Sequence, residues 1–278
     1  MDIYEKTTAF FKAVTGEKLV YGKSILGRNL YAVKCGEGSP VGIALYAIHG
    51  REFITAELAF RQYAVGVKGT VWLLPLANPD GALLSEVGLT SVKRGKYKKF
   101  LSSFSEEDLR LWKANARGVD LNVNFDADYG KGAKNVLDRG RENCIGDFAF
   151  SERETRAIKA FTLKIAPEYT VSYHTKGEEI YWHYHQPLCR VARDKALAEV
   201  LSTVTGYPLK RVKGSVGGYK DWCIKALQIP AFTVETGKDE FTHPLVTDEA
   251  REDILYKNER ALFALSKAVA EQKGLYFS

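Results

Sequence analysis

Cysteine is scarce in this 278-residue chain, and its four copies, Cys35, Cys144, Cys189 and Cys223, lie far apart with no C-x-x-C pair. That spacing argues against a disulfide framework and against a structural zinc knuckle. Long apolar runs are missing too, none approaching the roughly 20 residues that span a bilayer. The opening, Met1-Asp2-Ile3-Tyr4-Glu5-Lys6, lacks an apolar core followed by a small-residue cleavage site, so no export signal is read there. These absences predict a cytoplasmic location, reduced thiols and no membrane partner. Charge of one sign is not in large excess. The net +6 is scattered along the chain; it suits anionic partners but is too small to imply nucleic acid. The densest basic run, Lys93, Arg94, Lys96, Lys98 and Lys99, reads as a solvated loop. With no internal repeat and no linker-like segment, residues 1–278 are expected to form a single domain.

What is present is an alternation of strands and helices. Gly42 to Ile48 and Thr70 to Leu76 are near-continuous apolar strands, separated by a helix from Thr55 to about Val65. Apolar runs without clean alternation mark strands covered on both faces. The fold expected is therefore α/β, with a mixed parallel and antiparallel central sheet and helices on both faces. Residues 2 to 14 read as a helix, and Lys18–Tyr21 and Asn29–Cys35 as strands. Ser151-Glu152-Arg153-Glu154 has a capping-box pattern and opens a helix to about Lys164. Strands at Tyr169–Tyr173 and Ile229–Val234 and helices at Val191–Thr203 and Tyr219–Leu227 follow. One last helix, Asp248–Glu271, carries Leu255, Leu262, Leu265 and Val269 as its core stripe. Asn78-Pro79-Asp80-Gly81 is a turn by composition, and the basic, poorly periodic stretch up to Leu111 is expected to make long surface excursions.

The chemistry gathers where strands end. Gly42–Ile48 breaks abruptly into His49-Gly50-Arg51-Glu52. A tight turn there aims an imidazole and a carboxylate at one point. That is half of a tetrahedral zinc shell, which in catalytic sites takes three protein ligands and leaves one position for water. Alone, His-x-x-Glu is common among polar turns. Two further strands end at His174 and at Glu235. Singly, these read as a core-edge histidine and a surface acid. Strand ends of one sheet lie close in space, so all four residues can meet.

At these residues the chain resembles the zinc carboxypeptidase family over nearly its whole length. His49-x-x-Glu52 resembles that family's first two zinc ligands. His174, 122 residues after Glu52 in Ser172-Tyr173-His174-Thr175, resembles the third. Glu235 falls where the family has its catalytic glutamate. Asn78-Pro79-Asp80-Gly81 and Gly118-Val119-Asp120-Leu121-Asn122 also match recurrent family segments. Within the family, His174 to Trp182 and Gly217-Gly218-Tyr219-Lys220-Asp221-Trp222 are similar to the bacterial γ-D-glutamyl-diamino acid endopeptidases, which cut cell-wall stem peptides before diaminopimelate. The resemblance implies Zn2+ on His49, Glu52 and His174, with Glu235 as general base. It also implies a second cation for the developing oxyanion, and Lys113 and Arg117 are both candidates for that role. Asn122, Tyr219 and Lys220 are the implied substrate-binding residues, and a small, acidic peptide is the implied substrate.

Two departures bear on that substrate. Relatives read Asn-Arg where this chain has Asn122-Val123, and valine cannot imitate a bidentate guanidinium on a terminal carboxylate. Arg139 and Arg141 are possible substitutes. The digestive relatives place a tyrosine where ungapped counting puts Lys213, so Tyr207 or Tyr219 would cover a bound peptide only with the loop rearranged. Lys220 falls where those relatives place the residue at the base of the specificity pocket; it reads equally as a helix-surface lysine, but in the pocket its ammonium would favour a carboxylate-bearing side chain. Two alternatives stand beside the peptidase reading. One is a zinc deacylase of N-acyl amino acids on the same scaffold. The other is a catalytically silent binder of peptide or metal, motivated by the missing arginine.

Overall fold

Alternate residues of the apolar run from Val41 to Tyr46 go to opposite faces of a sheet, and both faces are covered. The structure is a computed structural model that describes residues 1–211, 214–238 and 247–276. Helix α1 (Ile3–Ala13) precedes strands β1 (Lys18–Lys23), β2 (Asn29–Gly36) and β3 (Val41–Tyr46). Helix α2 (Ile54–Val65), strand β4 (Thr70–Leu74) and helices α3 (Pro79–Val87), α4 (Lys96–Leu101), α5 (Glu106–Arg110) and α6 (Arg153–Ile165) come next. Strands β5 (Tyr169–Thr175) and β6 (Glu179–Tyr181), helix α7 (Leu188–Thr205), strand β7 (Leu209–Lys210), helix α8 (Tyr219–Trp222), strand β8 (Ala231–Thr236) and helices α9 (Asp248–Asn258) and α10 (Ala261–Tyr276) complete the order.

Among the described residues the sheet has the order β1-β2-β4-β3-β5-β8-β6-β7. Its centre, β4-β3-β5-β8, is parallel, while β1-β2-β4 and β6-β8 pair antiparallel. This is the mixed α/β architecture expected. Ala44 and Tyr46 of β3 face a core built with Leu58 of α2, Leu197 and Leu201 of α7, Leu255 of α9 and Leu262 of α10. Ile43 and Leu45 face the other core, with Ile158 and Phe161 of α6 and with Trp222 of α8. Leucine-sized side chains buried this fully contribute roughly 1.5–3 kcal/mol each, so both faces hold β3 in register.

Several elements differ from expectation for reasons visible in their hydrogen bonds. Asn78-Pro79-Asp80-Gly81 is the start of α3 and not a free turn: Asn78 Oδ1 accepts from the Gly81 N–H at 2.9 Å, with proline in the first turn. The stretch before Leu111 contains α3, α4 and α5 around a satellite core of Leu84, Leu101, Leu109 and Trp112, so it is packed and not a set of surface excursions. At α6 the expected capping box does not form, because Ser151 Oγ donates to Glu152 Oε1 at 2.8 Å and Glu152 becomes the N-cap. The last helix is two helices. The Asn258 carbonyl accepts from Gln62 Nε2 at 2.8 Å, which diverts it from continuing the helix, although Leu255, Leu262, Leu265 and Val269 are buried as the periodicity requires. No helix among the described residues is long and apolar enough to cross a membrane.

The parallel direction of β3, β5 and β8 brings their carboxyl ends to one edge. There Tyr46 pairs with Tyr173, and His174 with Glu235.

Candidate metal centre and active site

Three segments are pressed together at that edge: the turn after β3, the start of α3 and residues 112–114. A Cβ on Gly50 would lie 2.4 Å from the Gly81 backbone and 2.7 Å from the Trp112 carbonyl, and one on Gly81 would lie 2.3 Å from the Ala114 carbonyl. Only glycine permits such approach at either position. Asn78 Nδ2 faces the carbonyls of Ile48, Lys113 and Ala114 at 3.0–3.1 Å. The Gly50 and Arg51 N–H groups donate to the carbonyls of Lys113 and Trp112 at 2.9 and 2.8 Å. The turn carrying His49 and Glu52 is thereby fastened to the segment carrying Lys113.

His49, Glu52 and His174 are buried and converge. His49 Nδ1 is 2.8 Å from Glu52 Oε1, His174 Nδ1 is 2.9 Å from Glu52 Oε2, and the two Nδ1 atoms are 3.2 Å apart. His49 Nε2 lies 3.2 Å from Asp120 Oδ1. A proton held there toward Asp120 leaves the Nδ1 lone pair directed at the centre. Asp120 is itself fixed by the N–H groups of Asn122 and Asn143 at 3.0 and 3.1 Å. In that tautomer the Nδ1 atoms of His49 and His174 and both Glu52 oxygens converge on one point as candidate donors to a cation. Two imidazoles and one carboxylate are a donor set that fits zinc.

The charges follow from this packing. Burial opposes the charged form of His49, but the carboxylates of Glu52 and Asp120 prevail and raise it to about 9. Burial likewise opposes ionised Glu52, and His49 and His174 overcome that and hold it well below the usual carboxylate range. Burial raises Glu235 to about 7, helped by the Glu52 charge and opposed by His174, His49 and Lys113. Glu235 is half-buried and opens onto a pocket of about 220 Å³ lined by Asn122, Tyr181, His183, Lys220, Asp221 and Thr233 among others.

The structure separates the remaining candidates. Lys113 lies on the metal side of the segment: its carbonyl accepts from the Gly50 N–H at 2.9 Å, and its charge favours the ionised forms of Asp120 and Glu235. Arg117 points elsewhere: it pairs with Asp147 at 2.9 Å and Glu152 at 3.5 Å and lines a different cleft. Asn122 and Lys220 line the pocket. Tyr219 does not, because its ring is sealed in the core against Phe125 and Trp222, with its hydroxyl 3.0 Å from Thr162 Oγ1. Tyr207 is also buried, facing Asn258 Nδ2. Lys213 lies outside the described residues. Arg139 is held by Asp147, and Arg141 by Asp108 and Glu142, so neither lines the pocket beside Glu235. Sequence reasoning missed Asp120 as the partner of His49, although a lone aspartate between Val119 and Leu121 signalled a buried polar role. It also missed Asp221, whose Oδ1 is 2.5 Å from Lys220 Nζ.

A parallel-centred sheet that presents a buried His-Glu-His cluster and a raised glutamate at its carboxyl edge defines a zinc hydrolase. The sequence profile described as zinc carboxypeptidase matches residues 14–254, and the chain belongs to the zinc carboxypeptidase family of metallopeptidases. Zinc is that family's cofactor. The chain is 28% identical over 262 residues to the γ-D-glutamyl-L-diamino acid endopeptidase 1 of Lysinibacillus sphaericus, covering 87% of this chain and 65% of that one. It is 28% identical over 251 residues to murein peptide amidase A of Escherichia coli K12, covering 85% of each. It thus spans about two thirds of the length of the first relative and most of the second. The solved structure of bovine thrombin-activatable fibrinolysis inhibitor superposes with a TM-score of 0.80 at 17% identity over 98% of both chains. Murein-tripeptide amidase from E. coli O157 superposes with a TM-score of 0.58 at 24% identity over 94% of both. These two likenesses bear on the fold.

The raised His49 gives a pH prediction for loading. Without zinc, His49 keeps its proton up to about 9, and ligation needs it neutral. Zinc binding at neutral pH therefore releases a proton, and apparent affinity climbs up to about tenfold per pH unit until about pH 9. In the zinc-free protein the same group contributes stability that is complete below its unfolded value of 6.5 and is lost as pH rises through 9. Calorimetric titration in buffers of different ionisation heat checks the release; a buffer-independent enthalpy with a flat pH profile contradicts it.

Proposed function

We propose that the chain hydrolyses small peptides of murein type at the γ-D-glutamyl–diaminopimelate bond, with His49, Glu52 and His174 as zinc ligands. The observation that carries this reading is the position of Glu235, paired with His174 of the metal cluster in the β5–β8 register and lining the same pocket as Lys220 and Asp221. When bound, zinc supplies a Lewis acid that acidifies water and polarises the scissile carbonyl. Glu235 takes the proton of the attacking water on its carboxylate and returns it to the departing amine. Its half-buried position keeps that proton affinity near neutrality. Lys113 offsets the negative charge that grows on the carbonyl oxygen. Asn122 has its Oδ1 engaged by the Tyr219 N–H at 3.1 Å, which leaves its amide donors for substrate.

The pocket refines the expectation of a merely acidic substrate. Lys220 is paired with Asp221, so the pocket presents an ammonium and a carboxylate side by side. A side chain bearing both groups, as diaminopimelate does, matches that arrangement better than a simple acid. The Lysinibacillus relative, a γ-D-glutamyl-L-diamino acid endopeptidase, acts beside such a residue.

The test is mass spectrometry of zinc-loaded protein with L-Ala-γ-D-Glu-meso-diaminopimelate, beside an N-acetyl amino acid and a peptide with a hydrophobic C-terminus. Release of diaminopimelate, abolished by chelator and restored by zinc, is expected. Deacetylation alone would move the assignment to the deacylase, and silence on every substrate with zinc bound would move it to the binder. Lys220→Met is expected to raise KM for the murein peptide roughly tenfold with kcat less affected. A variant that leaves KM unchanged removes Lys220 from recognition.

A further inference from the structure

The basic run that reads as a solvated loop borders an open cleft on the surface. Two concavities of about 430 and 380 Å³ share Lys96 and Tyr97 as a common wall. The first continues over Phe100 to Arg117 and Arg139, the second past Lys93 and Arg94 to Arg28. Lys93, Arg94 and Lys96 are exposed. Among the described residues the ion pairs of this region go to the arginines instead: Asp147 holds Arg117 and Arg139 at 2.9 and 2.7 Å, and Asp80 holds Arg28 at 2.7 Å. The arginines are positioned by carboxylates while the run 93–96 keeps its charge, so the cleft is net positive. Its floor is aromatic. Tyr97 and Phe100 are half-buried on α4 over the satellite core, with Phe104 edge-on to Phe100 at 5.3 Å, and the Lys96 ammonium sits 5.0 Å from the Tyr97 ring centre. Lys113 serves the metal edge and Arg117, four residues on, serves this cleft, so one fastened segment connects the two.

We propose that this cleft binds an anionic oligosaccharide, separately from the peptide pocket. Two adjoining concavities suit a chain of ring units side by side. Half-buried aromatic rings give sugar faces an apolar platform, and rim cations meet carboxylates spaced along the chain. The charge density favours a glycan over nucleic acid. A phosphate on every nucleotide rewards a protein for a long cationic track through counterion release, and here the surplus is confined to a few side chains.

The experiment is titration of the zinc-loaded full chain with oligogalacturonate, a neutral cello-oligosaccharide of equal length, polyglutamate and a single-stranded oligonucleotide. Oligogalacturonate is expected to bind best, with affinity that falls as salt rises. The K93A/R94A/K96A variant is expected to weaken it by roughly tenfold or more while zinc content and peptide hydrolysis stay at the parent level. Tyr97→Leu, which keeps bulk but removes the ring, is expected to weaken oligogalacturonate and leave salt dependence unchanged. Equal binding of the neutral glycan, tighter binding of polyglutamate or the oligonucleotide, no binding of any probe, or a triple variant that binds oligogalacturonate like the parent would each overturn the proposal.

Discussion

Glu235→Gln is expected to leave one zinc per chain and to reduce kcat by about 10²–10⁴. The amide keeps the size of the carboxyl and its place opposite His174 in the β5–β8 register, but it cannot accept a proton from water at neutral pH. The loss belongs to kcat and less to KM, because the pocket walls at Asn122 and Lys220 are untouched. The pH profile supplies an independent readout. In the zinc-free protein Glu235 sits at about 7, and a dication beside it lowers that value. The base works only when ionised, so the parent's kcat/KM should fall as pH drops through a point at or below about 7, and the variant should lose this acid limb. Elemental analysis and a pH series on both proteins check the prediction. Turnover that survives the substitution, or an unchanged acid limb, removes Glu235 as the base.

The candidate site was legible in the sequence where chemistry and strand pattern coincided. His49, Glu52, His174 and Glu235 all lie at or just past strands whose apolar composition marks them as central. The sheet's parallel centre then brings them together without further information. What could not be read was carried by backbone carbonyls and by single side chains that redirect them. Nothing in Asn258 as a residue type announces that its carbonyl is taken by Gln62 and splits a helix. Asn78-Pro79-Asp80-Gly81 has the composition of a turn and also that of a capped helix start, and the decision rests on α3 packing against the metal loop. Tyr219 illustrates a different limit. Its neighbour Lys220 lines the pocket, and adjacent residues on a helix point about 100° apart, so one can reach the substrate only by committing the other to the core. Choosing between Lys113 and Arg117 needed the fold itself, because both are cations within five residues of each other.

That choice has a measurable consequence. Lys113→Ala is expected to lower kcat by about 10²–10³ with a small change in KM, the size of effect seen when one group that stabilises an oxyanion is removed. Arg117→Ala is expected to change kcat by less than about threefold, since its guanidinium is half-exposed and spent on Asp147 and Glu152. The main chain of Lys113 contributes separately, for its carbonyl accepts from the Gly50 N–H at 2.9 Å and no side-chain substitution removes that bond. The metal loop should therefore stay in place in Lys113→Ala, and zinc content should not fall. Lys113→Arg restores a cation at the same point and should recover much of the lost rate, which a purely structural lysine would not require. The ammonium is restrained only loosely, with Glu142 at 3.7 Å, so it is free to follow charge as it develops on the carbonyl oxygen. Steady-state kinetics of the three variants, each with its zinc content measured, decide the matter: a loss in Arg117→Ala as deep as in Lys113→Ala would show that the oxyanion is stabilised from the other side of the segment.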